Sequence, residues 1–182
     1  MDARYAIRRL VPSDAGAHRG LRLEAIATTP LTFAEELDRA AARSVADHEA
    51  ALAQDGETAT FGAFLGGDLV GMASLTPKRP PCAHIAKLSS VFVVRGHRQA
   101  GVAAGLVARA ETAARALGAT RITLAVATHN DPARRLYERL GYAVYGIEPS
   151  AMRLDGVFVD EELRSKFLTG PAVSVADAFL AA

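Results

Sequence analysis

The hydrophobic and polar positions of the chain follow two periods, which together predict a mixed α/β domain. Short apolar runs of strand length recur at residues 5–10, 60–64, 69–75, 87–94, 121–126 and 143–145. The turn residues Gly66-Gly67-Asp68 join the second and third runs and predict a β-hairpin. Two further strands are predicted at 152–154 and 163–168, with the Asp155-Gly156 turn and the acidic patch 160–162 lying between them.

Segments in which apolar residues recur with the spacing of a helix separate these strands. One helix is expected after the capping sequence at 12–14, and one or two more within 33–54. Apolar residues spaced three to four apart predict a helix over 101–117, so that strand, helix and strand form a βαβ unit from 87 to 126. Asp131 is expected to cap the next helix, which ends at Gly141.

Length and composition narrow the class of protein. The chain has 182 residues, half of them hydrophobic, which predicts one domain over 1–182 with residues 169–182 as a C-terminal extension. The formal net charge of +1 argues against a dedicated nucleic-acid-binding protein. A single cysteine, Cys82, excludes an internal disulfide, and the five histidines show no metal-site spacing. Since no signal peptide or membrane-spanning run is present, we expect a cytoplasmic protein without membrane partners.

The turn between the strand at 87–94 and the following helix carries the strongest functional signal. Its sequence is Arg98-Gln99-Ala100-Gly101-Val102-Ala103. A strand, a glycine-bearing turn and a helix direct several backbone N–H groups and the positive end of the helix dipole at one point. Arg95 and His97 add positive charge beside them. The arrangement predicts a site for an anion, most naturally a pyrophosphate, although a plain strand-to-helix connection is the alternative.

The Arg-x-x-Gly-x-Ala spacing of this turn resembles the acyl-CoA-binding motif of the GNAT N-acetyltransferase family. A second segment, from Asn130 to Tyr142, resembles the family's Asn-x-x-Ala-x-x-Leu-Tyr-x-x-x-Gly-Phe signature, with Tyr in place of the final Phe. The resemblance covers nearly the whole chain. It implies the acyl-CoA N-acyltransferase fold, which is a mixed, mostly antiparallel central sheet with flanking helices, whose fourth and fifth strands splay apart.

The resemblance also implies roles for individual residues. Acetyl-CoA is the expected co-substrate, no metal is expected, and the reaction is acetyl transfer to an unidentified primary amine. The residues matched to cofactor binding are Val91, Phe92 and Val93 on the fourth strand, Arg98, Gln99, Ala100, Gly101, Val102 and Ala103 in the turn, and Asn130 and Tyr137. Tyr137 is the candidate catalytic acid for the departing thiolate, with a plain core tyrosine as the alternative.

The general base is left open by the sequence. Many relatives place a glutamate on the fourth strand, where this chain has Lys87. Five other residues are candidates for the base. Ser89 or Ser90 could hold a water that relays the proton, whereas His84, Glu24 or Glu35 could accept the proton directly. Glu24, Glu35 and Glu148 could also attract a cationic amine. For Glu24 and Glu35, the alternative is that they only belong to a solvent-exposed helix face.

Two alternatives remain at this point. The missing carboxylate on the fourth strand is compatible with a regulatory module that binds acyl-CoA without useful turnover. A nucleotide-binding domain is disfavoured, because the chain lacks both a P-loop and a Rossmann fingerprint. The oligomeric state stays open, with a homodimer as one expectation from the family.

Overall fold

The computed structural model describes residues 5–33, 35–53 and 58–168. Its strands are β1 (Ala6–Arg9), β2 (Ala59–Leu65), β3 (Asp68–Pro77), β4 (Ile85–Val93), β5 (Arg121–Ala127), β6 (Ala143–Leu154) and β7 (Val157–Phe167). Its helices are α1 (Ala15–Thr28), α2 (Leu37–Ala41), α3 (Val45–Ala53), α4 (Val102–Ala116) and α5 (Asp131–Arg139). No helix in these ranges combines the length and apolar character needed to cross a membrane.

Within the described residues, the seven strands form one sheet in the order β1-β2-β3-β4-β5-β7-β6. Every neighbouring pair is antiparallel except β4 and β5, which are parallel and joined through α4. The predicted mixed, mostly antiparallel sheet with flanking helices is therefore confirmed, as is the βαβ unit. The predicted C-terminal extension, 169–182, lies outside the described residues, and the single domain over 1–182 stays a prediction.

The last two strands are longer than predicted. β6 and β7 are continuous, so the acidic residues 160–162 lie inside β7 rather than beside a turn. Register shifts interrupt β6 between Val144 and Gly146 and again between Glu148 and Met152. Because each shift breaks the two-residue alternation of faces, the strand does not show the pattern by which strands are recognised in a sequence.

The sheet has an apolar layer on each face. On one face, Leu106 of α4 packs with Ile122 of β5 in the largest core cluster. On the other face, Leu21 of α1 packs with Met72 and Phe92. β4 is therefore held from both sides, and its position beside β5 is determined by packing as well as by hydrogen bonds.

Two buried histidines join α1 to α3. The Nδ1 atoms of His18 and His48 lie 3.2 Å apart, and both side chains are buried. Burial, together with the neighbouring His48 and Arg22, lowers the pKa of His18 to about 4, and burial also lowers the pKa of His48. The pair is therefore neutral at pH 7, with one ring donating to the other.

We expect this pair to make the protein less stable in mild acid. The unfolded chain binds a proton at His18 near pH 6.5 and the folded chain only near pH 4, so stability is full above pH 6.5 and is lost as pH falls towards 4. The expected loss between pH 7 and pH 5 is about 2 kcal/mol in the free energy of unfolding. Urea unfolding at both pH values would measure it.

A variant pair separates this effect from general acid sensitivity. His18→Leu should flatten the pH dependence, whereas His129→Gln, which changes an exposed histidine, should leave it as in the wild type. An equal pH dependence in wild type and His18→Leu would contradict the assignment.

Candidate active site

β4 and β5 lie side by side only at their beginning. Their register joins Ile85–Lys87 to Arg121–Thr123, and the structure describes no pairing between the two strands beyond these positions. β4 nevertheless continues to Val93 and β5 to Ala127. The strands therefore splay apart, as the resemblance implied. An open strand edge of this kind can bind another extended chain through its backbone N–H and C=O groups.

A bulge bends β4 within its open part. Ser89 lies opposite Ser74 of β3 and Phe92 lies opposite Met72, so two residues of β4 oppose one of β3. Ser90 in the bulge has a φ of +53°, and its Oγ accepts a hydrogen bond from Arg22 Nη1 of α1 at 3.3 Å. The polar bulge is thus held towards α1, at the point where the two strands diverge.

The turn after β4 leaves backbone donors free. Gly101 caps the start of α4 with a φ of +77°, and no side chain caps this helix. The first N–H groups of α4, beginning at Val102 and Ala103, consequently have no partner within the helix. Nothing lies within 4 Å of where a Cβ on Gly101 would project. Open space therefore faces the positive end of the helix dipole, as an anion site requires.

Arg98 attaches this turn to the end of β4. Its Nε donates to the Val93 carbonyl oxygen at 2.9 Å, and its guanidinium lies 5.7 Å from the centre of the Phe92 ring. His97 packs edge-on against Tyr5 at 6.2 Å between ring centroids. Arg98 and His97 of the predicted cationic cluster therefore help to position the turn.

Asn130, not Asp131, caps α5. The Oδ1 of Asn130 accepts a hydrogen bond from the Ala133 N–H at 3.3 Å, whereas Asp131 is the first helical residue and pairs with Arg134 at 2.8 Å. The prediction for Asp131 was wrong, and the alternative role of Asn130 as a capping asparagine is the one that the structure shows. Both residue types are good caps, so composition does not determine which of two neighbours leaves the helix. The capping bond occupies Oδ1 and leaves the Asn130 side-chain NH₂ as a donor.

α5 is fixed to the sheet through a carboxylate of β7. Glu162 accepts hydrogen bonds from Arg134 of α5 at 2.8 Å and from its own strand neighbour Arg164 at 2.6 Å. Burial alone would raise the pKa of Glu162, but these two guanidinium groups lower it. The carboxylate therefore stays ionised, and the helix that carries Asn130 and Tyr137 is held in one orientation.

Tyr137 lies on the inner face of α5 and is only 6% exposed. Its ring packs edge-on against Tyr142, with 5.8 Å between centroids. Burial raises the pKa of the Tyr137 phenol, so this hydroxyl is protonated at neutral pH. Among the described residues, the hydroxyl of Tyr142 bonds Glu111, while that of Tyr137 enters no hydrogen bond. A protonated hydroxyl without a protein partner is available to donate a hydrogen bond to a bound ligand.

One cavity of about 730 Å³ joins these features. The residues matched to cofactor binding that line it are Val91, Phe92, Val93, Arg98, Gln99, Gly101, Val102, Ala103, Asn130 and Tyr137. Ala100 is the one member of the predicted set that does not line it. Lining residues that the sequence reasoning did not assign are Thr29, Thr32, Phe33, Pro132, Ala133, Arg135, Leu136 and Arg139. Of those on α5, Ala133 lies four residues before Tyr137 and so shares its helix face, which is a signal that could have identified it.

A second cavity, of about 350 Å³, adjoins the first at Phe33, which lines both. Its apolar lining includes Leu31 from the 3-10 turn Pro30–Thr32, and Met152 and Val159 from the β6–β7 hairpin. The smaller cavity thus lies between the α1–α2 connection and the hairpin. The two cavities could hold two reactants that meet beside Phe33.

The residues weighed as a general base lie in less suitable places. His84 precedes β4 at the end where the strand is still paired with β5. Glu24 is exposed on α1. Glu35 is occupied, because its carboxylate accepts hydrogen bonds from Arg22 and Arg43. Ser90 Oγ accepts a hydrogen bond from Arg22, and the candidates for the base stay predictions. In the described part of the chain, no group of three or more metal-ligating side chains occurs.

Comparison with known proteins agrees with this geometry. A family model described as the acetyltransferase (GNAT) family matches residues 22–142. No curated protein matches the sequence significantly. Among solved structures, a GNAT-family acetyltransferase from Streptococcus pneumoniae is 25% identical, with a TM-score of 0.79 over 90% of this chain and 99% of that one.

Two further structures share the fold. The yncA protein of Salmonella typhimurium, determined with its cofactor acetyl-CoA, is 21% identical, with a TM-score of 0.77 over 96% of this chain and 99% of that one. A ribosomal-protein-alanine N-acetyltransferase from Brucella melitensis is 23% identical, with a TM-score of 0.77 over 89% of this chain and 99% of that one.

Proposed function

The chain belongs to the acetyltransferase (GNAT) family, and from this premise we propose that it transfers an acetyl group from acetyl-CoA to a primary amine of a small molecule or peptide. The observation that carries the proposal is the single cavity that joins the open edge of β4, the N-terminus of α4 and Tyr137. A related structure was determined with acetyl-CoA, which supports this substrate.

The residues present fit acetyl-CoA part by part. The N–H groups at the start of α4, which begin at Val102, suit the pyrophosphate. The open edge from Val91 to Val93 suits the amide groups of the pantetheine arm, which can pair with it as an added strand. The free side-chain NH₂ of Asn130 can donate to the same arm. With this division we expect the thioester near the splay, in the cavity that Tyr137 lines.

The chemistry is direct attack in a ternary complex. The neutral amine nitrogen bonds to the thioester carbonyl carbon, and the carbon–sulfur bond breaks. Backbone donors near Phe92 and Val93 polarise the carbonyl, and Tyr137 gives its proton to the leaving thiolate. Holding both reactants side by side removes most of the entropic barrier. Cys82, exposed in the loop before β4, has no part in this scheme.

Calorimetric titration with acetyl-CoA, followed by an assay of thiol release over panels of amines, tests the proposal. We expect saturable binding and amine-dependent release of CoA. Absence of binding would overturn the assignment of acetyl-CoA as substrate.

The alternative is an acyl-CoA-binding module without useful turnover. One observation favours it, namely that no carboxylate lies on β4 from Ile85 to Val93. Tight acetyl-CoA binding with no transfer to any amine class would support this alternative over the enzyme.

A further inference from the structure

We propose that Glu161 of β7 is the general base, which takes the proton from the ammonium group of the acceptor. The inference rests on the proposed acetyl transfer and names the group that the β4 sequence does not supply. It is derived from the position of Glu161 in the sheet, from its lack of a partner and from the charges around it.

The sheet places Glu161 one strand away from the splay. It lies opposite Ala127 near the end of β5, the strand that forms one wall of the opening. The Thr128 N–H donates to the Asp160 carbonyl oxygen at 2.9 Å, so β7 is bonded to the connection that leads into Asn130. The backbone of Glu161 is thus anchored beside the larger cavity.

The face of the strand directs Glu161 towards the acceptor side. Alternate residues of a strand share a face and lie about 7 Å apart, so Glu161 lies on the same face as Val159, which lines the smaller cavity. Glu162 points to the other face, where it bonds Arg134. The 3-10 turn Pro30–Thr32 packs on β5 and lines the smaller cavity. Glu161 therefore lies on the face of the sheet that carries the smaller cavity, two residues along β7 from one of the side chains that line it.

Among the carboxylates of this region without a described hydrogen bond or ion pair, Glu161 is half-buried, whereas Glu36 and Glu148 are exposed. Glu162 is bonded to two arginines, the Asp160 Oδ1 accepts the Ser150 N–H at 2.7 Å, and Glu35 is bonded to Arg22 and Arg43. By contrast, no hydrogen bond or ion pair of the described residues involves the carboxylate of Glu161, which is half-buried. A half-buried, unpaired carboxylate can accept a proton without first breaking a salt bridge.

The surroundings make this carboxylate a better base than an ordinary glutamate. Burial raises the pKa of Glu161, the negative charge of Glu148 across β6 raises it further, and Lys87 of β4 lowers it. The residue opposite Glu161 on β5 is Ala127, and the turn that packs on β5 consists of Pro30–Thr32. None of these residues titrates near neutral pH. The carboxylates of Glu161 and Glu148, which face each other, also attract a cationic amine.

The step balances without any further reactant. The carboxylate of Glu161 takes one proton from the ammonium nitrogen, which leaves a neutral amine and a carboxylic acid. The amine nitrogen then bonds to the acetyl carbon and the carbon–sulfur bond breaks. The leaving thiolate takes the proton of Tyr137, which recovers one from the attacking nitrogen as the amide forms. Glu161 returns its proton to solvent, so the net products are the acetylated amine, CoA and one proton.

Glu161→Gln in the full chain tests the role, with 2-phenylethylamine, L-leucine and spermidine as acceptor probes. We expect kcat at pH 7 to fall about 100-fold or more while acetyl-CoA affinity stays as in wild type. The residual rate of the variant should rise about tenfold per pH unit towards the pKa of the amine, because only amine that is already neutral can react. The wild type should instead lose activity only in acid, as Glu161 protonates.

Two further variants give the matched comparison. Glu49→Gln changes an exposed glutamate of α3 and should match the wild type throughout. Glu148→Gln removes the charge that raises the pKa of Glu161 and should move the acidic limb of the pH profile to lower pH. A Glu161→Gln enzyme with the wild-type pH profile would overturn the proposal, whatever its kcat.

If none of the three probes is acetylated, the rate of acetyl-CoA hydrolysis tests the role of Glu161 instead. The same carboxylate would then take a proton from water, so hydrolysis should fall in Glu161→Gln and not in Glu49→Gln. Equal hydrolysis in all forms, or none in a wild type that binds acetyl-CoA, would overturn the base assignment. Loss of acetyl-CoA binding by the wild type would instead be the failure of the proposed function itself.

Discussion

Gly101→Glu is expected to abolish acetyl-CoA binding. The substitution places a carboxylate in the open space before α4, where the pyrophosphate is expected to meet the free N–H groups. Two unit charges of like sign about 4 Å apart repel by about 4 kcal/mol at an effective dielectric constant of about 20, which corresponds to a loss of about a thousandfold in affinity. Calorimetric titration of wild type and variant measures this loss.

The control must carry the same backbone strain, since a side chain at a φ of +77° is unfavourable in itself. Gly156 has a φ of +81° and an equally open surrounding in the β6–β7 turn. Gly156→Glu should therefore lower stability to a similar extent and leave acetyl-CoA affinity as in wild type. Similar losses of affinity in both variants would show that strain, rather than charge at the anion site, is responsible.

Tyr137→Phe is expected to lower kcat about 100-fold while the KM for acetyl-CoA changes little. The hydroxyl lies in a lining position of the larger cavity and enters no described hydrogen bond, so its removal leaves packing intact. What is lost is the proton for the departing thiolate. Steady-state kinetics with a reactive amine, together with a melting curve, checks both parts of the expectation.

Tyr145→Phe serves as the matched control, because Tyr145 is 59% exposed on β6. It should retain wild-type kcat and stability. If Tyr137→Phe also retained wild-type kcat, the hydroxyl would not be the acid, and the role of this residue would be packing against Tyr142.

The βαβ unit and the larger cavity were predictable because their signals are local. The strand at 87–94, the turn at 98–103 and the helix after it differ from β4 and α4 by only one or two residues at their ends. Periodicity and a glycine with positive φ are properties of short segments, so one sequence suffices to recognise them.

Glu161 was not predicted, because its significance depends on residues distant in sequence. In the sequence it stands inside an acidic patch of three residues, without any sign of which carboxylates are paired. The pairing of Glu162 with Arg134 bridges 28 positions, and the approach of Lys87 to Glu161 depends on strand order. Bulges in β6 further obscured the strand pair that holds Glu148 opposite Glu161.

The splay between β4 and β5 has a consequence for the lifetime of the protein. Along Val91–Val93, β4 lacks a partner on the side that faces β5. Amide protons that point to this side exchange with solvent, and an extended ligand bound there would protect them. Ligand binding and folding are then linked, so that a ligand at about 100 times its dissociation constant adds about 2.7 kcal/mol to the free energy of unfolding. We expect the acetyl-CoA concentration to set the resistance of this chain to proteolysis as well as its rate of turnover.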